Sequence, residues 1–150
     1  MTTTSQVADA TRARPTLYVT AAVLSLIGLA DSVYLTVEHL VGENAGCVVA
    51  RGCAEVLGSN YASIGPLPIA LIGALAYFIA FSLALLAAFD YRRCELFLLL
   101  LVQAMFAVTL WLLLVQAFVL HAFCDYCLLS AAVTVLLTVT ALTSQIIRSR

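Results

Sequence analysis

Four long runs of apolar residues divide the chain, and short polar stretches separate them. The runs cover residues 17–40, 66–89, 96–120 and 124–147, and none alternates between apolar and polar positions as a half-buried strand does. A helix that crosses the hydrocarbon core of a bilayer needs about 20 such residues. In lipid each backbone N–H and C=O must be paired within its own segment, which a continuous apolar run achieves as a helix. The pattern predicts an all-α membrane protein, a bundle of four transmembrane helices.

Composition agrees with a membrane location. Hydrophobic residues make up 64% of the chain and charged residues 10%, which is outside the range of soluble globular domains. The 150 residues have room for one four-helix domain, which we place at residues 15–150. Residues 1–14 are polar and are predicted to form a disordered cytoplasmic tail. The first run is longer than the apolar core of a signal peptide, so we interpret it as a retained span.

The arginines predict the orientation. All seven basic residues are Arg, and in a four-span arrangement only Arg51 falls on the side of the loop between helices 1 and 2. Positive charge is enriched in cytoplasmic segments, so both termini are predicted to be cytoplasmic and this loop extracytoplasmic. The use of Arg alone favours the plasma (inner) membrane of a bacterium. The six remaining arginines are Arg12, Arg14, Arg92, Arg93, Arg148 and Arg150.

Four of the five cysteines lie on the extracytoplasmic side, where disulfides persist. Cys47 and Cys53 are in the loop, whereas Cys124 and Cys127 form a C-x-x-C motif where the fourth run begins. On a helix these last two lie about 4.5 Å apart along the axis, with Cys124 outermost and Cys127 deeper. The helix N-terminus favours a thiolate at Cys124, although the neighbouring Asp125 opposes it. We interpret the four residues as a relay from the loop through Cys124 to Cys127 and the lipid phase.

Two other residues bear on the interpretation. Cys94 lies beside Arg93 on the cytoplasmic side, so we expect it to stay reduced and outside the relay. Asp31 lies inside the first run, where an acid that faces lipid at the bilayer centre costs about 2.5–3.5 kcal/mol. We therefore expect it to face the bundle, where it either orients a group such as Ser32 or Gln103 or carries protons.

The order of motifs along the chain resembles that of the vitamin K epoxide reductase family. "SVYLT" lies late in the first run, Cys47 and Cys53 follow in the loop, and Ser59 comes six residues after Cys53. "GPLPIALIGALAY" then begins the second run and "FCDYC" the fourth. A C-x-x-C motif alone is weak, but it is specific after a two-cysteine loop within four spans. The chain is similar to the bacterial members that lack a fused thioredoxin domain.

The resemblance implies a thiol:quinone oxidoreductase that supports disulfide formation. Cys127 would donate electrons to a quinone of the menaquinone, ubiquinone or vitamin K type, with Cys124 as its disulfide partner. Cys53 would exchange with Cys124, while Cys47 pairs with Cys53 and takes electrons from a separate thioredoxin-fold protein. The implied partners are that protein, the quinone and membrane lipid, with no nucleic acid.

Quinone contacts are predicted less directly. Ser59 is expected to hydrogen-bond near the ring or to steady the loop. Trp111 and Phe123 are aromatic at depths where a quinone can pack, although ordinary bundle packing explains such residues equally well. Animal members that reduce vitamin K carry a tyrosine where this chain has Ala131, and an asparagine in the region of the apolar residues 69–70. These departures favour plain quinone reduction over epoxide reduction.

Three alternatives use the same cysteines differently. Cys47 and Cys53 could form a purely structural disulfide, or all four thiolates could hold a structural zinc, although we expect no metal in an oxidising space. The protein could also be a small membrane transporter or scaffold with structural disulfides. A relay changes its disulfide pairing during turnover, whereas a structural disulfide keeps one pairing, so cysteine chemistry distinguishes these classes.

Overall fold

The computed structural model describes residues 2–41 and 52–149, with side chains from Pro15 onward. Four of its helices are long and apolar enough to cross a membrane. The predicted all-α membrane bundle is therefore confirmed, while Cys47 lies outside the described residues. The elements are α1 (Thr2–Val41), α2 (Cys53–Leu57), β1 (Ser63–Ile64), β2 (Leu67–Pro68), α3 (Ile69–Ala88), α4 (Arg92–Leu114), a π turn (Val115–Leu120) and α5 (Asp125–Ser149).

The spans begin and end close to the limits of the apolar runs. The largest difference is in the third span, which begins at Arg92 rather than at residue 96, because charged residues of the first helical turn lie at the membrane interface. The four spans are Pro15–Val41, Ile69–Ala88, Arg92–Leu120 and Asp125–Ser149.

The structure differs from the prediction over residues 1–14. Helix α1 begins at Thr2 and continues through the stretch for which we predicted a disordered tail, although its membrane-spanning part begins at Pro15. The stretch contains no glycine or proline and includes three alanines and two arginines, which favour helix. Low hydrophobicity alone was a poor criterion for disorder here, because the span that begins at Pro15 is already helical and its helix can continue toward the N-terminus.

Small residues hold the bundle together. Helix α1 packs against α3 and α5, and α4 packs against the same two helices, which closes a four-helix arrangement. Ala21, Ala80, Ala84 and Ala87 are buried at these contacts, whereas the large side chains outside the core point outward. In lipid the hydrophobic effect does not drive helices together, so close contact between small residues contributes much of the association.

The two ends of the bundle differ in chemistry. At the end where α4 begins and α5 finishes, Arg148 forms an ion pair with the buried Glu95. At the other end the β1–β2 hairpin turns at Gly65, whose φ of 63° suits glycine. The Ile69 N–H donates to the Ala62 carbonyl at 2.8 Å, which joins this hairpin to the start of α3. The cysteines of the predicted relay that are described lie at this second end.

Candidate active site

Three of the four predicted relay cysteines lie together. Cys53 and Cys124 are 1% and 0% exposed, belong to one packed cluster with Val56 and Ala122, and have Cys127 against them. Cys53 is disulfide-bonded, whereas Cys124 and Cys127 are free thiols. The structure thus brings Cys53, the first residue of α2, to Cys124, which immediately precedes α5 and lies 71 positions later in the sequence.

Gly52 makes this approach possible. A Cβ atom at Gly52 would lie 2.8 Å from the Ala122 Cβ and 2.9 Å from both the backbone N and O of Phe123. Atoms of a backbone cannot move aside as a flexible side chain can, so any larger residue would push the chain away. Gly52 therefore lets the loop lie directly on the α4–α5 connection, with Cys53 beside Cys124.

A π turn shapes the connection that carries Cys124. It covers Val115–Leu120 at the end of α4, and the next residue, His121, has a left-handed φ of 51°. The Ala122 N–H donates to the Gln116 carbonyl at 3.2 Å, which ends the helix. Single π turns are rare and occur often at functional sites, because they redirect side chains that a regular helix would point elsewhere.

Gln116 is a candidate functional residue that the sequence analysis missed. It is 3% exposed, and its side-chain oxygen accepts a hydrogen bond from the Cys124 N–H at 3.4 Å. Its side chain also hydrogen-bonds the Cys127 thiol. The available signal was a polar amide inside the apolar run 96–120, since such residues in a span commonly serve function.

Local hydrogen bonds activate the Cys124 thiol. The Leu128 N–H donates to the Cys124 carbonyl at 3.0 Å, so Cys124 stands immediately before the first turn of α5. Its sulfur accepts hydrogen bonds from the Cys127 thiol and from the backbone N–H groups of Cys127 and Tyr126. These bonds, led by the one from Cys127, outweigh burial and lower the pKa of Cys124 from 9.0 to about 7. Cys124 is therefore poised as a nucleophilic thiolate near neutral pH.

A cavity of about 320 Å³ opens beside the second thiol. Residues from all four long helices and from the segment after α2 line it, and most of them are apolar. Cys127 is among the lining residues, whereas Cys124 is not. The volume lies at the lower end of the roughly 300–1,000 Å³ range of small-molecule sites, so it suits a flat ring.

Hydroxyl groups form a polar patch on the cavity wall. The Tyr77 hydroxyl lies 3.0 Å from the Ser130 carbonyl oxygen, 2.9 Å from the Ser130 hydroxyl and 2.9 Å from the Thr134 hydroxyl. All three residues line the cavity, as do Cys127 and Gln116. A ligand in this cavity meets an apolar wall with a few hydrogen-bonding groups near one thiol.

Of the predicted quinone contacts Ser59, Trp111 and Phe123, only Ser59 lines the cavity. The Ser59 hydroxyl donates to the Val56 carbonyl at 2.7 Å, which steadies the turn after α2. Trp111 and Phe123 are half-exposed and are not among the lining residues. Trp111 packs edge-on against Tyr61, a lining residue, with ring centroids 6.4 Å apart. Contact of Trp111 or Phe123 with a quinone stays a prediction.

Two further observations complete the chemistry of the site. Cys94 is a half-buried free thiol in the first turn of α4, at the opposite end of the bundle from Cys124. Within residues 2–41 and 52–149, no group of three His, Cys, Asp or Glu side chains is placed to hold a metal ion.

Comparison with known proteins assigns the chain to a family. The model of the vitamin K epoxide reductase family matches residues 19–142, which is most of the chain and includes all five cysteines. No match is found among curated proteins.

Proposed function

The chain belongs to the vitamin K epoxide reductase family, and from that membership we propose that it is a thiol:quinone oxidoreductase that supports disulfide formation. Membership makes it a multi-pass membrane redox enzyme of the vitamin K epoxide reductase type. In our proposal it oxidises a separate thioredoxin-fold protein and reduces a membrane quinone of the menaquinone, ubiquinone or vitamin K type.

One observation carries the proposal: the two thiols of the C-x-x-C motif have different neighbours. Cys124 packs against Cys53, whereas Cys127 lines the apolar cavity. Electrons that enter at the loop can therefore pass from Cys53 to Cys124 and then to Cys127, next to the space for a ring. A purely structural disulfide does not require one thiol beside a second cysteine pair and the other beside a cavity.

The proposed cycle balances two electrons and two protons. The dithiol of the partner protein reduces a Cys47–Cys53 disulfide, and the Cys53 thiolate then attacks Cys124 in a Cys124–Cys127 disulfide. Cys47 completes the exchange, which leaves Cys47 and Cys53 oxidised and Cys124 and Cys127 reduced. This last pair gives two electrons to the quinone and forms its disulfide again. The described relay cysteines match one stage of this cycle, in which Cys53 is oxidised and Cys124 and Cys127 are reduced.

The cavity wall favours a quinone over an epoxide as substrate. Ala131 and residues 69–70 line the cavity and are apolar, so they offer no side-chain donor to an epoxide oxygen. A quinone can also serve as the electron sink when its reduction potential is higher than that of the donor protein. In a two-electron couple, each difference of about 30 mV corresponds to 1.4 kcal/mol. The protein would supply the geometry and a dry site, and the quinone the electron-accepting chemistry.

We place the enzyme in the plasma (inner) membrane, with both termini cytoplasmic and the relay cysteines extracytoplasmic. Cys53, Cys124 and Cys127 share one end of the bundle, while Arg92 and Arg148 lie at the other. Positive charge at the cytoplasmic end and thiol oxidation outside the cell are consistent with this orientation.

Quinone reduction by the purified protein in lipid nanodiscs tests the proposal. Single Ala substitutions at Cys124 or Cys127 should lower turnover by about 10³-fold or more with any donor. Substitutions at Cys47 or Cys53 should do so only when a reduced thioredoxin-fold protein is the donor, because the small reductant dithiothreitol can attack the C-x-x-C disulfide at Cys127, which is partly exposed and lines the cavity. Cys94→Ala is the matched control and should keep full activity.

An inactive wild type, in nanodiscs that sustain another family member, would refute quinone reduction. The alternative, a transporter or scaffold with structural disulfides, keeps one cysteine pairing throughout, whereas the relay changes its pairing during turnover.

A further inference from the structure

Asp31 is a buried acid that the proposed relay leaves unused. It lies near the middle of the Pro15–Val41 span and is 7% exposed. Within the described part of the chain, neither of its carboxyl oxygens has a hydrogen-bond partner, so the expected contact with Ser32 or Gln103 is not present. An ionised carboxylate without hydrogen bonds or a counterion is very unfavourable in such surroundings. Such surroundings favour the neutral carboxylic acid, which carries a proton, over the carboxylate.

The position of Asp31 connects it to the reactive groups. Asp31 lies close enough to Tyr77 of α3 and to both thiols, Cys124 and Cys127, to interact electrostatically with them when it is ionised. One helical turn before Asp31, Gly28 leaves room for the Tyr77 ring, which occupies the place of a Cβ atom. Helix α1 thus approaches Tyr77 closely beside the acid.

Tyr77 connects the acid with the cavity. Asp31 is not among the lining residues, but Tyr77 is, and its hydroxyl lies within hydrogen-bond distance of the Ser130 and Thr134 hydroxyls on the same wall. A tyrosine hydroxyl can accept one proton while it donates another. It can therefore pass a proton on to an oxygen atom of a ligand in the cavity. Asp31 is not hydrogen-bonded to this hydroxyl in the present state, so a change of the Asp31 rotamer or a bridging water connects the two when the proton moves.

Quinone reduction requires a proton that the thiol pair does not supply. Two electrons and two protons convert a quinone to a hydroquinone. When Cys124 reacts as a thiolate, only Cys127 brings a proton, so one more must come from another group. We propose that Asp31 supplies this second proton to the quinone through the Tyr77 hydroxyl. This inference rests on the proposed thiol:quinone activity.

Charges and atoms balance in each half of the cycle. The Cys124 thiolate, the Cys127 thiol, the quinone and the Asp31 carboxylic acid give the Cys124–Cys127 disulfide, the hydroquinone and the Asp31 carboxylate. When the donor dithiol reduces that disulfide, its two protons return to Cys127 and to Asp31. One negative charge is thus present in both states, on Cys124 or on Asp31. Quinone chemistry then proceeds without any change of net charge inside a low-dielectric site.

Infrared spectroscopy of the reduced protein tests the state of the acid without turnover. Reduced wild type should show the C=O stretch of a protonated carboxylic acid that Asp31→Asn lacks and that shifts with ¹³C-labelled aspartate. Absence of this band in the reduced wild type overturns the inference. Reduction of quinone by wild type is measured on the same preparation, so a failure of the proposed function is recognised separately.

Single-turnover kinetics with pre-reduced protein test the proton transfer itself. Asp31→Asn should slow hydroquinone formation by about 10²-fold, the usual contribution of a general acid. Above pH 7, where at least half of Cys124 is a thiolate, the rate of this variant should fall as the pH rises, because the proton must then come from water, whereas wild type should change by only about twofold. Asp31→Glu should recover part of the rate. A rate for Asp31→Asn within twofold of wild type, with the same pH profile, overturns the inference.

Two tyrosine variants separate proton transfer from a general effect of losing a buried hydroxyl. Tyr77→Phe should slow hydroquinone formation with a pH profile like that of Asp31→Asn. Tyr18→Phe is the control, because the Tyr18 hydroxyl is buried on α1, the helix of Asp31, but has no partner among the described residues and does not line the cavity. It should leave the rate unchanged. Equal slowing of the two tyrosine variants overturns the route through Tyr77.

Discussion

The two halves of the bundle differ in the surroundings of a buried acid. Glu95, 2% exposed at one end, forms an ion pair with Arg148. Asp31, in the half that leads to the cysteines, has no hydrogen-bond partner among the described residues. The cysteine end also contains the π turn and the left-handed His121. One end pairs its buried acid with a cation and so stabilises the fold, whereas the half with the cysteines leaves its buried acid available for chemistry. Each variant below tests whether these roles are separate.

The largest effect is expected from Cys127→Ser. A hydroxyl cannot take the place of the thiol that faces the cavity, so quinone reduction should fall by about 10³-fold or more while the unfolding temperature changes little. Cys94→Ser, at the other end, is the control and should affect neither quantity. Turnover of Cys127→Ser close to that of wild type would mean that the cavity thiol is not the electron donor.

Arg148→Met should lower stability and leave activity unchanged, the reverse of Cys127→Ser. It removes the Arg148 side of the ion pair with the buried Glu95, so the free energy of unfolding should fall by about 3 kcal/mol. Glu95→Gln should cost less, because Arg148 is 28% exposed and water can solvate it. Denaturation in detergent measures both, and quinone reduction per folded molecule should equal that of wild type. A selective loss of activity would show that the ion pair supports the site as well as the fold.

Gly52→Ala should interrupt the relay at its first internal step. The added methyl group would displace the loop from Ala122 and Phe123 and so move Cys53 away from Cys124. We expect turnover with a thioredoxin-fold donor to fall by about 10–100-fold, since small misplacements have costs of that order. Turnover with dithiothreitol should be unchanged. Ala54→Ser, at an exposed position in α2, is the control, and equal losses with both donors would contradict this role of Gly52.

Sequence patterns predicted the features that depend on local chemistry or on the membrane. The four spans follow from continuous apolar runs, and the C-x-x-C motif placed Cys124 outside Cys127. Gln116 was not predicted, because a single amide in an apolar run gives no sign of the π turn that directs it toward Cys124. The contact of Gly28 with Tyr77 was likewise not predictable, since it depends on how α1 and α3 pack.

Gln116→Leu should have a smaller effect than the changes above. It removes hydrogen bonds to the Cys124 N–H and the Cys127 thiol while it keeps the side-chain volume nearly constant. A loss of about 1–2 kcal/mol in transition-state stabilisation corresponds to about 10-fold slower quinone reduction. Gln116→Glu keeps the acceptor for the Cys124 N–H but removes the donor to Cys127. Equal rates for wild type and both variants would limit Gln116 to packing.

The smallest effect concerns pH. Because the pKa of Cys124 is lowered from 9.0 to about 7, the rate of thiol exchange at Cys124 should rise up to pH 7 and gain only about twofold between pH 7 and pH 8. The same shift stabilises the reduced fold: the contribution is full above pH 9.0 and is lost as the pH falls through about 7. The difference in unfolding free energy between reduced wild type and Cys124→Ala should therefore shrink on acidification through neutrality. Arg148→Met, which alters only the other end, should leave the pH at which this occurs unchanged. A shift of that pH in Arg148→Met would instead show that the two ends are electrostatically coupled across the bundle.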